Sequence, residues 1–592
     1  MNARTRRRSP SRVLVFLIGF TLLATACGDA NDAGGGASVA DDSSGDVGDV
    51  GDDSSGDVDD DDDVSGQSVT PTIAPPPQED VDPDEVVRGG TLRVAVEAEA
   101  DGLNPVANNF ATSAYLMGFS IMEPLAYFDD DGNWFPWLAE SFTPIEGTNS
   151  WQVKVREGIL FHDGSELDAD DLIAGFEAQL ADPVISLAVS PSFPAENPVE
   201  KIDQYTVQFN RAIPTAHFPA NVTSQLGMIV PSEYIIAAAA DPELNQAPIG
   251  TGAFRLVSRV QDDVTIVERN PDYWQGAENV PLDRVEFHPI TDTAIAADRV
   301  AAGDLDLVIT SNPDAILTLR ESSSVNTIEN LFSSENDIMM NTRAAPFDDI
   351  RARQALTFAA DREAFASLIG QGTSPLADSM FHPELIWNNP DVVQEGNQPE
   401  RAQPLVDSYC ADFAENCTDG RINMELQFSG PSVVQTRIAD LFSAGWEPFF
   451  NITIDELLQD EHILEVITGQ YNVVTWRQFG AVDPDNEVIW LECATAEGFL
   501  TINWVRVCDP ERDALLFEQR ASADLDQRVE TWREIQADIN ATYSYIFTTH
   551  TNWTIGSSER VHNLCGQEGP GGVTLFCNNS GLSFFHGVWL EE

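Results

Sequence analysis

From about residue 90 onward, apolar and polar positions alternate in short runs, with helical periodicity between them. Leu92, Val94 and Val96 alternate as a first strand after Gly89-Gly90-Thr91, and Asp101-Gly102-Leu103-Asn104-Pro105 reads as the turn that ends it. A helix carrying Tyr115, Leu116 and Phe119 follows, then a hairpin turn at Asp131-Gly132-Asn133. The densest pattern runs from Leu138 to Phe176. There Trp151, Val153 and Val155 alternate with Gln152, Lys154 and Arg156, which is the period of a half-buried strand. After the Asp163-Gly164 turn, Asp168 occupies an N-cap position with Asp171 three residues on. Leu172, Ile173, Phe176 and Leu180 then form one helical face.

Further along, Asp348 is expected to cap a helix with Leu356 and Ala359 inward. Asp361 caps the next, with Phe365, Leu368 and Ile369 inward and Gly370 at its exit. Ile422, Met424, Leu426 and Phe428 predict a strand, residues 433–442 a helix, Ile452 and Ile454 a strand, and residues 471–475 a strand leading to Trp476. Val529, Trp532, Ile535 and Ile539 mark a late helix, followed by a strand over residues 545–549.

The N-terminal segment breaks this pattern. Arg4, Arg6, Arg7, Arg8 and Arg12 precede an apolar run from Val13 to Ala24, too short to span a bilayer comfortably. It ends in Leu23-Ala24-Thr25-Ala26-Cys27-Gly28, which resembles a bacterial lipobox and implies lipidation of Cys27; an ordinary signal peptide cleaved after Ala-Thr-Ala is the rival reading. Residues 28–87 are Gly, Ser, Asp and Pro with scattered Val, a composition that cannot bury enough apolar surface to offset ordering entropy. They read as a disordered acidic tether.

The chain has 592 residues, room for two to four domains, and a formal charge of -66 from 31 basic and 97 acidic residues. A phosphate-binding face needs clustered Lys and Arg, so nucleic acid is excluded as a partner. The acidity reads as a solubilising surface. With Cys27 assigned to lipid, six cysteines remain in three near pairs: Cys410 with Cys417, Cys493 with Cys508, and Cys565 with Cys577. An even remainder in an exported chain predicts disulfides; a zinc site is disfavoured because no CxxC and no close pair of His is present. The sequence holds no GxSxG, HExxH or Gly-rich phosphate loop, and no catalytic residue or cofactor is assigned, although carboxylate pairs are too common in so acidic a chain for counting alone to dismiss a glycosidase.

Several motifs in order carry a resemblance: Gly89-Gly90-Thr91-Leu92, Glu123-Pro124-Leu125, Trp137 to Phe142, Val155 to Ser165, Gly250-Thr251-Gly252-Ala253-Phe254, Asn270-Pro271-Asp272-Tyr273-Trp274, and Pro346 to Glu363. They are similar to those of the family 5 extracellular solute-binding proteins of bacterial ABC importers, the peptide/nickel/opine-binding group. The resemblance implies an α/β, type II periplasmic-binding-protein-like fold of two lobes. Residues 1–27 would be the lipoprotein signal, 88–330 lobe I with an extra subdomain at about 118–248, 331–543 lobe II, and 544–592 a return to lobe I. It implies a monomeric receptor, anchored outside the cytoplasmic membrane, that captures a peptide-like solute for ABC permease subunits. Oligosaccharide or metal chelate as cargo, a sensing role and a glycoside hydrolase are the alternatives.

Peptide binders of this family pair an Asp just before the Asp-Pro motif with the ligand amine. Here Phe479 or Gly480 stands at that position, ahead of Asp483-Pro484. Trp476 is the expected aromatic wall of the cleft and Arg477 a candidate for a ligand carboxylate. Asn104, Tyr115 and Gly252 are expected from lobe I, and Asn341, Phe479 and Asp483 from lobe II. No metal ligands are expected, because the eight His are dispersed.

Overall fold

The computed structural model describes residues 86–145 and 147–591. Cys27 and most of the acidic tether lie outside them. The first strand, Thr91–Val96, sits in the interior of a seven-stranded sheet. It pairs in parallel with Arg284–Pro289 on one side and Leu307–Thr310 on the other, and Leu92 and Val94 are fully buried. A strand covered on both faces reads as an apolar run, as its last three residues do. A separate four-stranded antiparallel sheet runs in the order Ala139–Ile145, Ser150–Val155, Thr206–Asn210, Val199–Lys201. The helix Ala169–Ala181 packs on it, started by a capping box between Asp168 and Asp171. Asp171 also accepts from the Ser232 amide at 2.8 Å, which ties this helix to the helix Ser232–Ala240.

The second lobe is built on a six-stranded sheet in which Glu335–Met340 lies between Val473–Gln478 and Tyr545–His550. The chain crosses from the first sheet to the second between Asn330 and Glu335, and back between His550 and Trp553. The return therefore falls after the strand Tyr545–His550, not at residue 544. That strand is buried throughout, although its last three residues are Thr548, Thr549 and His550, and nothing in it marks which sheet it joins.

Other local expectations are corrected. Asp349, not Asp348, caps the helix Ile350–Ala359, accepting from the Arg351 amide at 2.8 Å. Leu368 points outward and is 62% exposed, because the helix Arg362–Leu368 ends one turn after Phe365. The helix predicted over 433–442 runs to Trp446, whose indole is buried and donates to the Leu356 carbonyl at 3.0 Å. Trp476 lies inside its strand rather than beyond it. The cysteines are joined as Cys410–Cys417, Cys493–Cys508 and Cys565–Cys577.

Four of the sequence motifs meet at one buried carboxylate. Glu123 Oε1 accepts from Trp137 Nε1 at 2.9 Å and Tyr273 Oη at 2.8 Å. Its Oε2 accepts from Thr251 Oγ1 at 2.7 Å and Trp274 Nε1 at 2.8 Å. His162 completes the knot. Its Nε2 lies 3.1 Å from the Gly252 carbonyl, and the Gly250 amide donates to its Nδ1 at 3.4 Å. Burial pushes the His162 imidazole down to about 4, so it is neutral, with Nε2 as donor.

Candidate functional site

A cavity of about 660 Å³ lies between residues of the two lobes. The helix Thr112–Ile121 brings Tyr115 and Phe119 to it, and the helix Ile185–Val189 brings Ile185 and Val189. From the second lobe come Trp476 from the strand Val473–Gln478, Phe479 just after it, Trp490 from the helix Val488–Leu491, and Trp504. The three indoles form a continuous wall, with Trp504 centred 5.8 Å from Trp476 and 5.3 Å from Trp490. Trp504 is carried on the loop that the Cys493–Cys508 bond closes.

Bonds across the lobes frame the cavity. Arg477 reaches Glu97 at 3.0 Å and Ser311 Oγ at 2.7 Å, both at ends of first-sheet strands, and its guanidinium lies 4.3 Å over the Trp553 ring. Arg437 pairs with Asp314 at 2.6 Å. Asn221, in the short helix Phe218–Asn221, donates to Asn486 at 2.7 Å and to Asp485 at 3.2 Å. Phe479 (φ 66°) and Gly480 (φ 89°) turn the chain sharply out of the sheet. A Cβ on Gly480 would lie 2.2 Å from the Ser333 carbonyl carbon, so the crossing segment packs directly on this glycine.

Two acids beside the cavity are neutralised by the protein. Asp483 accepts from Arg528 at 2.5 Å and Asp485 from Arg520 at 2.9 Å, all four side chains being buried. Burial opposes ionisation, but Arg520 and Arg528 hold the Asp485 carboxyl well below the usual range. Arg211 stacks 4.2 Å from the Phe193 ring centre and donates to Thr215 Oγ1 at 3.2 Å, while its Nη1 has no partner. Burial lowers this guanidinium to about 9.

Tyr115, Trp476, Arg477 and Phe479 thus line the cavity. The other four anticipated residues do structural work away from its wall. Asn104 closes its turn, donating to Asn245 Oδ1 at 2.9 Å and accepting from the Val106 amide at 3.2 Å. Gly252 packs against the Ile121 carbonyl, where any Cβ would clash. Asn341 donates to the Gly469 and Tyr471 carbonyls at 3.0 and 3.1 Å. Asp483 belongs to Arg528. Sequence reasoning missed Arg211, Glu487, Trp490 and Trp504. The Asp483-Pro484-Asp485-Asn486-Glu487 run and the Trp inside a Cys-bounded loop were the available signals. Among the described residues, no three His, Cys, Asp or Glu side chains cluster to hold a metal ion.

Comparison with known proteins agrees with this architecture. Di/tripeptide-binding protein 2 of Pseudomonas aeruginosa is 26% identical over 474 residues, 75% of this chain and 87% of that protein. Heme-binding protein A of Haemophilus influenzae is 27% identical over 453 residues, 72% of this chain and 80% of that protein. The periplasmic binding protein DppA from Helicobacter pylori, solved with a bound peptide, superposes with a TM-score of 0.75 at 19% identity, covering 86% of this chain and 99% of that one. The oligopeptide-binding protein AppA from Bacillus subtilis, solved with a nonapeptide, gives a TM-score of 0.72 at 21% identity, covering 86% of this chain and 100% of that one. Residues 133–497 match the middle region of the bacterial extracellular solute-binding proteins, family 5, and the chain belongs to that family of binding proteins.

Proposed function

We propose that this protein is a lipid-anchored extracytoplasmic receptor that captures a peptide or peptide-like solute between its lobes and presents it to an ABC permease. The observation that carries the reading is the interlobe cavity, walled by Tyr115, Trp476, Trp490 and Trp504 and framed by bonds from one lobe to the other. Its volume suits a short peptide, and a wall that mixes aromatic rings with amide, hydroxyl and charged side chains suits the backbone and side chains of such a solute. The names of the di/tripeptide-binding relatives support the same cargo class. Two lobes joined by two chain crossings suit hinge closure around solute. Anchoring rests on Cys27 at the end of the apolar leader.

Native mass spectrometry of the purified protein, followed by extraction of bound material, tests the cargo. Peptides are the expected yield; recovery only of oligosaccharide or metal chelate overturns the peptide reading. For the anchor, a Cys27→Ser chain is expected to leave the membrane fraction, and its continued sedimentation with membranes would refute lipidation there.

A further inference from the structure

A histidine stands in the seam where the two lobes touch. Phe209 and Phe218 are packed in the core around the first sheet, together with Leu92 and Val94. Val488 and Leu516 are packed in a core of the second sheet, together with Met339 and Val474. Between these cores the Ala216 amide donates to the Arg520 carbonyl at 2.8 Å, and His217 Nε2 lies 3.2 Å from the Ser522 carbonyl. A carbonyl only accepts, so Nε2 carries the proton, and Nδ1 of the neutral ring is left with a lone pair. Nδ1 lies 3.7 Å from Asp483 Oδ2, beyond hydrogen-bond distance. That carboxylate is already held by both terminal nitrogens of Arg528, at 2.5 and 3.1 Å. The charged groups facing the ring are therefore Asp483 and Asp485 from the turn Pro484–Glu487 and its cap, and Arg528 from the helix Leu525–Ala541. Asp485 is in turn paired with Arg520.

We propose that the His217 contact is a proton-sensitive latch, which holds the lobes together while the ring is neutral and releases them when it is protonated, so that acid weakens solute capture. The inference rests on the lobes closing around solute. In the closed seam only 15% of the His217 side chain is exposed, and a proton added at Nδ1 would meet two carboxylates that already have arginine partners. Burial disfavours the charged ring, Arg528 adds to that, and the pull of Asp483 and Asp485 does not make it up; the imidazole sits below its ordinary 6.5. Opening parts His217 from Ser522 and returns the ring to water, where the ordinary value applies. The open form thus binds the proton more tightly than the closed form. Closure expels it, and the closed population falls as pH drops below 6.5, by at most about 10-fold per pH unit. His217 is not on the cavity wall, so the latch acts on closure and not on the choice of solute.

The test titrates a random tripeptide pool into the full protein and into His217→Gln by calorimetry, at about pH 7 and about pH 5.5. The Gln amide keeps a donor for the Ser522 carbonyl but does not titrate, and the melting curve verifies its fold. Wild type is expected to bind the pool roughly 3- to 8-fold more weakly at the lower pH, and the variant to change by less than about 2-fold. A wild-type affinity that does not fall with pH, or a variant that falls as steeply, overturns the latch. Small-angle scattering of the ligand-free proteins separates this from the cargo question. If the pool binds at neither pH, the peptide reading fails, and the latch is then decided by the radius of gyration. Expansion on acidification in wild type but not in the variant sustains it; the same response in both overturns it. If His217→Gln misfolds, His217→Phe takes its place, with the same flat pH response expected and a wild-type response counting against the proposal.

Discussion

Arg477 of the second lobe donates to the carboxylate of Glu97 in the first at 3.0 Å, and in doing so spends its charge on closure. Both side chains are about a quarter to a third exposed, so the bond is worth about 0.5–1 kcal/mol after screening. Arg477→Gln is expected to raise the open fraction of the ligand-free protein about 2- to 5-fold. Small-angle scattering would register the change as a larger radius of gyration. A profile identical to wild type would show that closure does not depend on this bond.

Glu123 takes four donors, none of them cationic. Burial raises its carboxyl, and the hydrogen bonds oppose that rise. In Glu123→Gln an amide nitrogen would face two donors, Thr251 and Trp274, on one side or Trp137 and Tyr273 on the other. A loss of about 2–4 kcal/mol is expected. The urea midpoint measures it, and a midpoint within error of wild type would sink the account.

His162 gives a pH dependence of definite sign. Its folded pKa is depressed to about 4 by burial, below its ordinary 6.5. The unfolded chain therefore binds the proton first. Stability from this group is complete above pH 6.5 and is lost as pH falls toward 4, by as much as about 3 kcal/mol. His462 and His550 shift the same way, so the single-site effect must be taken as a difference. Wild type minus His162→Gln should shrink across that window; a difference flat in pH would exclude the assignment.

The bond between Cys493 and Cys508 closes the loop that carries Trp504 to the cavity. Cys410–Cys417 joins the helix Pro399–Asp412 to a strand away from it. The double variant Cys493→Ser/Cys508→Ser should bind the tripeptide pool about 3- to 10-fold more weakly, a cost of about 1 kcal/mol from a loosened wall. Removing Cys410 and Cys417 should leave that affinity in place while lowering the melting temperature. Equal effects of the two changes on affinity would refute the distinction.

Much of the fold was legible because its devices are local. Asp168 and Asp171 sit three apart and cap a helix, and Trp151, Val153 and Val155 alternate on a buried face. The site was less legible because burial and partners decide it. Asp483, Asp485 and Glu487 are three similar acids in the sequence, yet only two meet an arginine, and those arginines lie more than thirty residues downstream. Asn104 and Asn341 looked like free polar groups and are consumed by backbone carbonyls and turns. Glu123 could not be singled out at all, since its four donors come from segments up to 151 residues away.

The strand Trp553–Ser558 lies between Leu307–Thr310 and Val325–Asn330, and Asn579, Ser580 and Leu582 stand on the cavity wall opposite residues read hundreds of codons earlier. Neither the first sheet nor the pocket is finished until the chain has been synthesised past Leu582. Premature termination products and chains halted during translocation would lack part of the wall. Such fragments should be unable to sequester solute, so competence is acquired only by full-length molecules.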